Sequence, residues 1–425
     1  EKAFQNSSKY GISLRVNQNL LSIKQHLYRI GVLMPLLVID KPEEKKSKSI
    51  ELAIKLIKYN CLKTNVRKLF AESTQLLSYE ITQHTAKTGE HYITESKTEY
   101  FKMLYAAVGG GLIVGILCII KLLLSKIETS DFGHAFFYSM NYSFGFIAIY
   151  VLGFTLATKQ PAMTAAALIS ALEDGLKKQA SGDGEKHNSF AVLFARLFRS
   201  QFIAFVGNVV MAFPVAFLES CLIDLAFDYN IAETKWQKLV TDLSPIHSMA
   251  IFHAAIAGFF LFLSGIISGS IANRDKHFDV YYRIQEHPLL KLNFGKAKAE
   301  KISKWYERYW AGIISNFWFG VFLGSTASIG LFLGLNLDIR HITFASGNLA
   351  LAIYGADYMV DNAMLFWGIL GIGIIGFVNF IVSFSLSLGL AFRSRNIPLA
   401  ELRPIITSIK QHFFRKPMSF FFPTE

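Results

Sequence analysis

Cysteine is scarce. Cys61, Cys118 and Cys221 are the only three in 425 residues, far apart and odd in number, which excludes a disulfide framework and a cysteine-based zinc site. Charge is thin as well: Asp, Glu, Lys and Arg make up 17% of the chain, where a soluble domain carries about a quarter. Ten prolines beside 38 Phe and 17 Tyr exclude a disordered or collagen-like chain. No GxxxxGK[ST] loop, HExxH, CxxC or GxSxG occurs, so the common phosphate-binding, metalloprotease, redox and hydrolase signatures are all missing. Glu219 is the only acid well inside an apolar run, and paired carboxylates for acid–base work are lacking. No cofactor or metal is expected. What is present in quantity is apolar: 52% of residues are hydrophobic and mean hydropathy is +0.35. The composition defines an integral membrane protein, an all-α polytopic helix bundle, with a net charge of +12 to be placed on its surfaces.

Residues 1–100 are charged and read as a basic cytoplasmic helical domain. Glu1 rather than Met opens the chain, which suggests a piece of a longer one. No apolar stretch before a cleavage site marks a signal peptide. Apolar residues from Leu52 to Phe70 recur at steps of three and four, the pattern of an amphipathic helix over 50–77. Another helix is expected over 14–38, with 40–49 as a charged linker. The basic faces suit solvent, anionic lipid headgroups or, as the weaker reading, nucleic acid.

From Met103 to Phe392 the chain reads as a transmembrane domain, followed by a basic cytoplasmic tail over 393–425. A spanning helix needs about 20 apolar residues, and six segments qualify: 103–124, 134–157, 199–223, 248–272, 310–335 and 363–392. A seventh stretch, 342–360, is broken by Gly347, Asn348, Gly355 and Asp357 and reads as a re-entrant or interfacial helix. Positive residues favour the cytoplasmic side. Four Lys lie in 158–189, eight Lys and Arg in 273–306 and six after 392, whereas the alternate connections hold only Lys126, Lys235, Lys238 and Arg340. Six spans with both termini inside the inner (cytoplasmic) membrane fit this asymmetry.

Pairs of glycines four apart (Gly111/Gly115, Gly265/Gly269, Gly320/Gly324 and Gly330/Gly334) put small residues on one helix face, where backbones approach closely in lipid. They serve bundle packing, or a homo-oligomer seam. Polar residues at membrane depth are candidates for function: Asn208, His253, Asn316 and Asn379 all fall within spans. His253 is a candidate proton relay because imidazole titrates near neutrality. Two further segments are candidate substrate- or lipid-binding sites. One holds Lys159 and Gln160 before Pro161, at the inner end of the second span, ahead of an amphipathic helix over 163–178. The other gathers Asp338, Arg340, His341 and Asn348, where an arginine could hold a carboxylate or phosphate. Arg196 and Arg199 read as snorkelling anchors.

The runs Thr88-Gly-Glu-His-Tyr-Ile93, Gly153-Phe-Thr-Leu-Ala-Thr-Lys-Gln-Pro-Ala-Met-Thr164, Asn316-Phe-Trp-Phe-Gly320, Leu323-Gly-Ser-Thr326, Leu337-Asp-Ile-Arg-His341 and Phe380-Ile-Val-Ser-Phe-Ser-Leu386 resemble the bacterial family labelled "site-specific recombinase, Gcr type". The resemblance covers roughly residues 85–425, and by its name implies DNA recombination. The residues themselves do not assemble that chemistry. His26/Arg29 and His412/Arg415 match the short HxxR spacing of tyrosine recombinases, yet no tyrosine follows the second pair, and no alternating strand–helix pattern offers a serine-recombinase domain. The chain therefore reads as an inner-membrane protein that moves or binds a lipid-like or anionic small molecule. An envelope scaffold with a protein partner and a membrane-tethered DNA-binding factor are the alternatives.

Overall fold

A computed structural model describes residues 14–39, 41–62, 78, 93–158, 164–165, 168–169, 183–395 and 397–423. Among them every regular element is helical. The chain runs through α1 (Leu14–Val38), α2 (Pro42–Leu62), α3 (Lys97–Leu124), α4 (Asp131–Val151), α5 (Asp183–Phe227), α6 (Trp236–Thr241), α7 (Ala250–His277), α8 (Val280–Gln285), α9 (Pro288–Phe294), α10 (Lys296–Phe332), α11 (Ile342–Gly355), α12 (Asn362–Ser394) and α13 (Leu402–Arg415), with 3₁₀ turns at Leu399–Glu401 and Pro417–Phe420.

The stretch 40–49, expected as a linker, is instead mostly helix. Pro42 takes the first helical position of α2, where its missing N–H does no harm, and Glu43 and Glu44 face the positive end of the helix. The predicted continuation of that helix over 63–77 lies outside the described residues.

Five helices are long and apolar enough to cross a membrane: α3, residues 188–227 of α5, α7, α10 and α12. The remaining predicted span is α4. It ends at Val151 rather than 157 and carries Ser139, Asn141 and Ser143 on its buried face, which dilutes its apolarity. Those polar groups are satisfied by neighbouring helices: Asn141 donates to Leu117 O at 3.1 Å and Ser143 to Phe317 O at 2.8 Å. Large apolar side chains such as Leu225, Phe332 and Phe366 stand exposed on the perimeter, as lipid-facing residues do. The molecule is an all-α membrane helix bundle.

Glycines set its closest approaches. Gly320 and Gly324 of α10 press on the backbone of Ser143 and Ser139 in α4, leaving no room for a Cβ, while Gly111 and Gly115 of α3 meet α5 at Asn208 and Val215. Gly265 and Gly269 are buried along α7. Gly330 packs on Leu337, but Gly334 faces open space at φ +67° and forms the turn that closes α10 rather than a seam.

Arg196 and Arg199 also depart from expectation. Arg196 pairs with Glu95 at 2.7 Å, and buried Arg199 donates to Thr94 O. The two arginines hold the start of α3 against α5 instead of reaching for headgroups. Ser96 and Glu99 then cap α3 reciprocally. After α12, Ile405 of α13 buries itself in a cluster with Leu197, Phe380 and Phe392. Phe420 and Phe421 meet Phe198 edge-on, and the Tyr100 hydroxyl donates to Phe421 O at 2.8 Å.

Candidate functional site

Beyond Phe332 the chain turns back on itself. Leu335 N bonds Gly330 O at 2.8 Å to close α10, and residues 335–341 run without helical structure alongside α7. His253 Nε2 donates to Asn336 O at 3.1 Å, and Arg340 N donates to His253 O at 3.3 Å. At Ile342 helix α11 begins, and it returns to the end of the bundle it came from. There the Tyr354 hydroxyl donates to Asp224 of α5 at 2.6 Å and Gly355 packs on Ala232. Its 14 residues cover about 21 Å, less than the roughly 30 Å of a bilayer core. All but Asn348 and Ile353 are buried. The helix is thus shorter than a span, and it stops at Gly355, short of the expected 360, where Asp357 and Tyr358 adopt positive φ.

The start of α11 lies beside the middle of α12. Asn379 Oδ1 accepts from Ile342 N at 3.2 Å, while its Nδ2 donates to Arg340 O at 3.0 Å and to Ala254 O at 2.8 Å. His341 caps the helix: Nδ1 accepts from Thr343 N at 3.4 Å, and Nε2 lies 3.1 Å from Thr158 Oγ1. With Nδ1 accepting, the ring is the neutral tautomer that donates through Nε2, and the Thr158 hydroxyl donates its own hydrogen bond to Ala157 O.

Thr158 arrives from the other end of the bundle. After α4, Gly153 turns the chain at φ +74° and residues 154–158 fold back beside α3, with Thr155 N donating to Ala106 O at 3.0 Å. Asn208 of α5 fixes this segment. Its Nδ2 donates to Ala107 O at 2.6 Å and Thr155 O at 2.9 Å, and its Oδ1 accepts from Ala157 N at 2.8 Å and Thr343 Oγ1 at 3.0 Å. All four hydrogen-bonding positions of the side chain are filled. Thr164, Ala165, Leu168 and Ile169 further along are helical and fully buried. Lys159 and Gln160 lie outside the described residues.

Asp338, Arg340, His341 and Asn348 do come together, with Lys121 and Tyr142, around a cavity of about 30 Å³. A wider opening of about 450 Å³ shares Asp338 and Arg340 and adds Asp242, Lys238, Asn336 and His253. Arg340 is not a free anion ligand. Its guanidinium contacts Asp338 Oδ2 at 2.6 Å and Asp242 Oδ2 at 2.7 Å, and donates to the carbonyls of Ile339 at 3.0 Å and Asp242 at 3.2 Å. It braces the descending strand against the α6–α7 connection. Lys121 was not singled out in the sequence because a lysine near the end of an apolar run reads as a snorkelling anchor. It instead turns inward, 5.6 Å from the ring centres of both Tyr138 and Tyr142, a cation–π setting. His253 Nδ1 is buried with no hydrogen-bond partner among the described residues. Asn316 donates to Gly312 O of its own helix at 2.8 Å.

Among the described residues no group of three or more His, Cys, Asp or Glu side chains is placed to hold a metal ion. His26 and Arg29 lie on α1, and His412 and Arg415 on α13, so the two HxxR matches occupy separate elements. A buried helix shorter than a span, a neutral histidine cap and an inward-facing lysine define a polytopic α-helical membrane protein with polar groups carried deep into its bundle. The sequence model of the site-specific recombinase family matches residues 1–423, and the chain belongs to that family. No curated protein and no solved structure matches it.

Proposed function

We propose that this protein moves a small polar molecule across the bacterial inner membrane. The observation that carries the reading is the folded-back segment 335–355. Non-helical backbone at membrane depth is tolerated where it is buried in protein or lines a cavity, and transporters use broken helices of this kind at their substrate sites. Here the segment delivers Asp338, Arg340, His341 and Asn348 to one cavity. The positive connections and tail place both termini in the cytoplasm in this reading, with anionic headgroups as the natural neighbours of the basic end.

The test is reconstitution of the purified chain into liposomes loaded with charged and uncharged small solutes. Release faster than from protein-free vesicles supports transport; release of none of them sinks it and moves the weight to an envelope scaffold. The recombination reading rests on the family name. It requires the full chain, in detergent, to bind duplex DNA at low salt with an affinity that falls steeply as salt rises.

A further inference from the structure

We infer that the described residues of 97–227 and residues 250–394 are inverted halves of one structural repeat, and that the seam where segments 154–158 and 335–343 meet is a conduit for small uncharged polar solutes. The inference rests on the transport reading and adds the route and the substrate class.

The hydrogen bonds carry the repeat. In the first half Thr155 N donates to Ala106 O, and Asn208 then joins Ala107 O, Thr155 O and Ala157 N. In the second half Arg340 N donates to His253 O, and Asn379 joins Ala254 O, Arg340 O and Ile342 N. The register agrees throughout: adjacent residues on the leading helix, positions two apart on the folded-back segment, one asparagine at mid-helix. It continues outward. Gly111 and Gly258, each four residues past the alanine, pack on the carbonyl of the matching asparagine and on the side chain three residues beyond it, Met211 and Val382. The direction is reversed, because α7 starts at the end where α5 finishes. The α4–α10 pair, antiparallel through Ser143 with Gly320 and Ser139 with Gly324, stands where the pseudo-twofold relation requires a symmetric contact.

The chemistry of the seam selects the solute. Lys121, Arg340 and Asp338 line the cavity, and Asp242 at the wider opening pairs with Arg340, so the four groups taken together carry no net charge to draw in an ion. The N-terminus of α11 disfavours cations approaching mid-depth. The about 30 Å³ cavity above His341 matches roughly one water. The Thr158–His341 contact, at 3.1 Å, is the hydrogen bond that has to open for a solute to pass beyond the cavity. Thr158 sits at φ +69°, a left-handed backbone disfavoured for threonine, at the point where the path narrows.

The experiment uses the full chain in proteoliposomes, with water and glycerol as uncharged probes in stopped-flow light scattering and chloride and protons as ionic probes. Expected results are water or glycerol permeability above protein-free vesicles, no chloride or proton flux, and loss of that permeability in Thr158→Phe. Because Thr158→Phe could disturb folding, Asn348→Cys in a background carrying Cys61→Ser, Cys118→Ser and Cys221→Ser gives a second readout: permeability present before, and lost after, labelling with a bulky water-soluble methanethiosulfonate that leaves the background chain unaffected. Chloride or proton flux, alone or beside water, overturns the inference and leaves transport standing. Permeation insensitive to both Thr158→Phe and the labelling of Cys at 348 overturns the route. No flux of any of these four probes overturns the inference, and the transport reading then stands or falls on the wider solute panel described for it.

Discussion

The two halves of the bundle hold their folded-back segments with the same asparagine device but load it differently. In the first half Asn208 fills all four of its hydrogen-bonding positions, one of them by reaching across to Thr343 of α11. The position in the second half that corresponds to Thr155 is Arg340, and it is charged. There the asparagine shares the work with an ionic brace to Asp338 and Asp242. One half is therefore locked by neutral hydrogen bonds inside the bundle, the other by those plus charges facing a partly hydrated opening. The difference teaches that backbone geometry can repeat while the electrostatics diverge, and that the two segments should fail under different insults.

The largest effect is expected from Asn208→Ala. It leaves Ala107 O, Thr155 O, Ala157 N and Thr343 Oγ1 without their partner at a site with no exposure; at about 1–3 kcal/mol for each buried unsatisfied group, the loss is about 4 kcal/mol or more. The melting temperature in detergent, read by intrinsic fluorescence or light scattering, should fall further than for any other substitution named below. Asn379→Ala strands three groups and should come next; equal or reversed losses would break the ranking of the halves.

Arg340→Gln should cost about 3 kcal/mol, the lower end for removing one partner of a buried pair, since Asp242 and Asp338 keep about a third of their side-chain surface exposed. Adding Asp242→Asn and Asp338→Asn should recover part of that loss, because the stranded charges are then removed as well. A triple variant no more stable than the single one would argue against the ionic brace. Arg196→Ala is the mildest test. Its partner Glu95 is 65% exposed, so the change should be less than about 1 kcal/mol and should shrink further at high salt.

The pattern of apolar runs was enough to reveal a membrane bundle, and Gly347, Asn348 and Gly355 were enough to mark 342–360 as something other than a span. The mirror segment was harder. Gly153-Phe-Thr-Leu-Ala-Thr158 is apolar enough to read as the tail of its span, and only the bond from Thr155 to Ala106 shows that the chain has already turned. The mid-span asparagines stood out as polar, but the partners of Asn208 and Asn379 lie 37 to 135 residues away, beyond anything periodicity records. Arg340 looked like a ligand for the same reason: its two carboxylate partners include Asp242, 98 residues distant. A lysine such as Lys121 offers no sign in sequence of which way it faces.

The bond from the Tyr100 hydroxyl to Phe421 O joins residues 321 positions apart. While the chain is being made, α3 leaves the ribosome long before the segment that covers its base exists. Until residues 417–422 emerge and settle among Phe198, Phe202 and Tyr100, the end of α3 and α5 where the arginines are anchored stays uncovered. Assembly of this bundle accordingly has a built-in late step, and a ribosome stalled before residues 417–422 would leave in the membrane a bundle with one open seam for a protease to find.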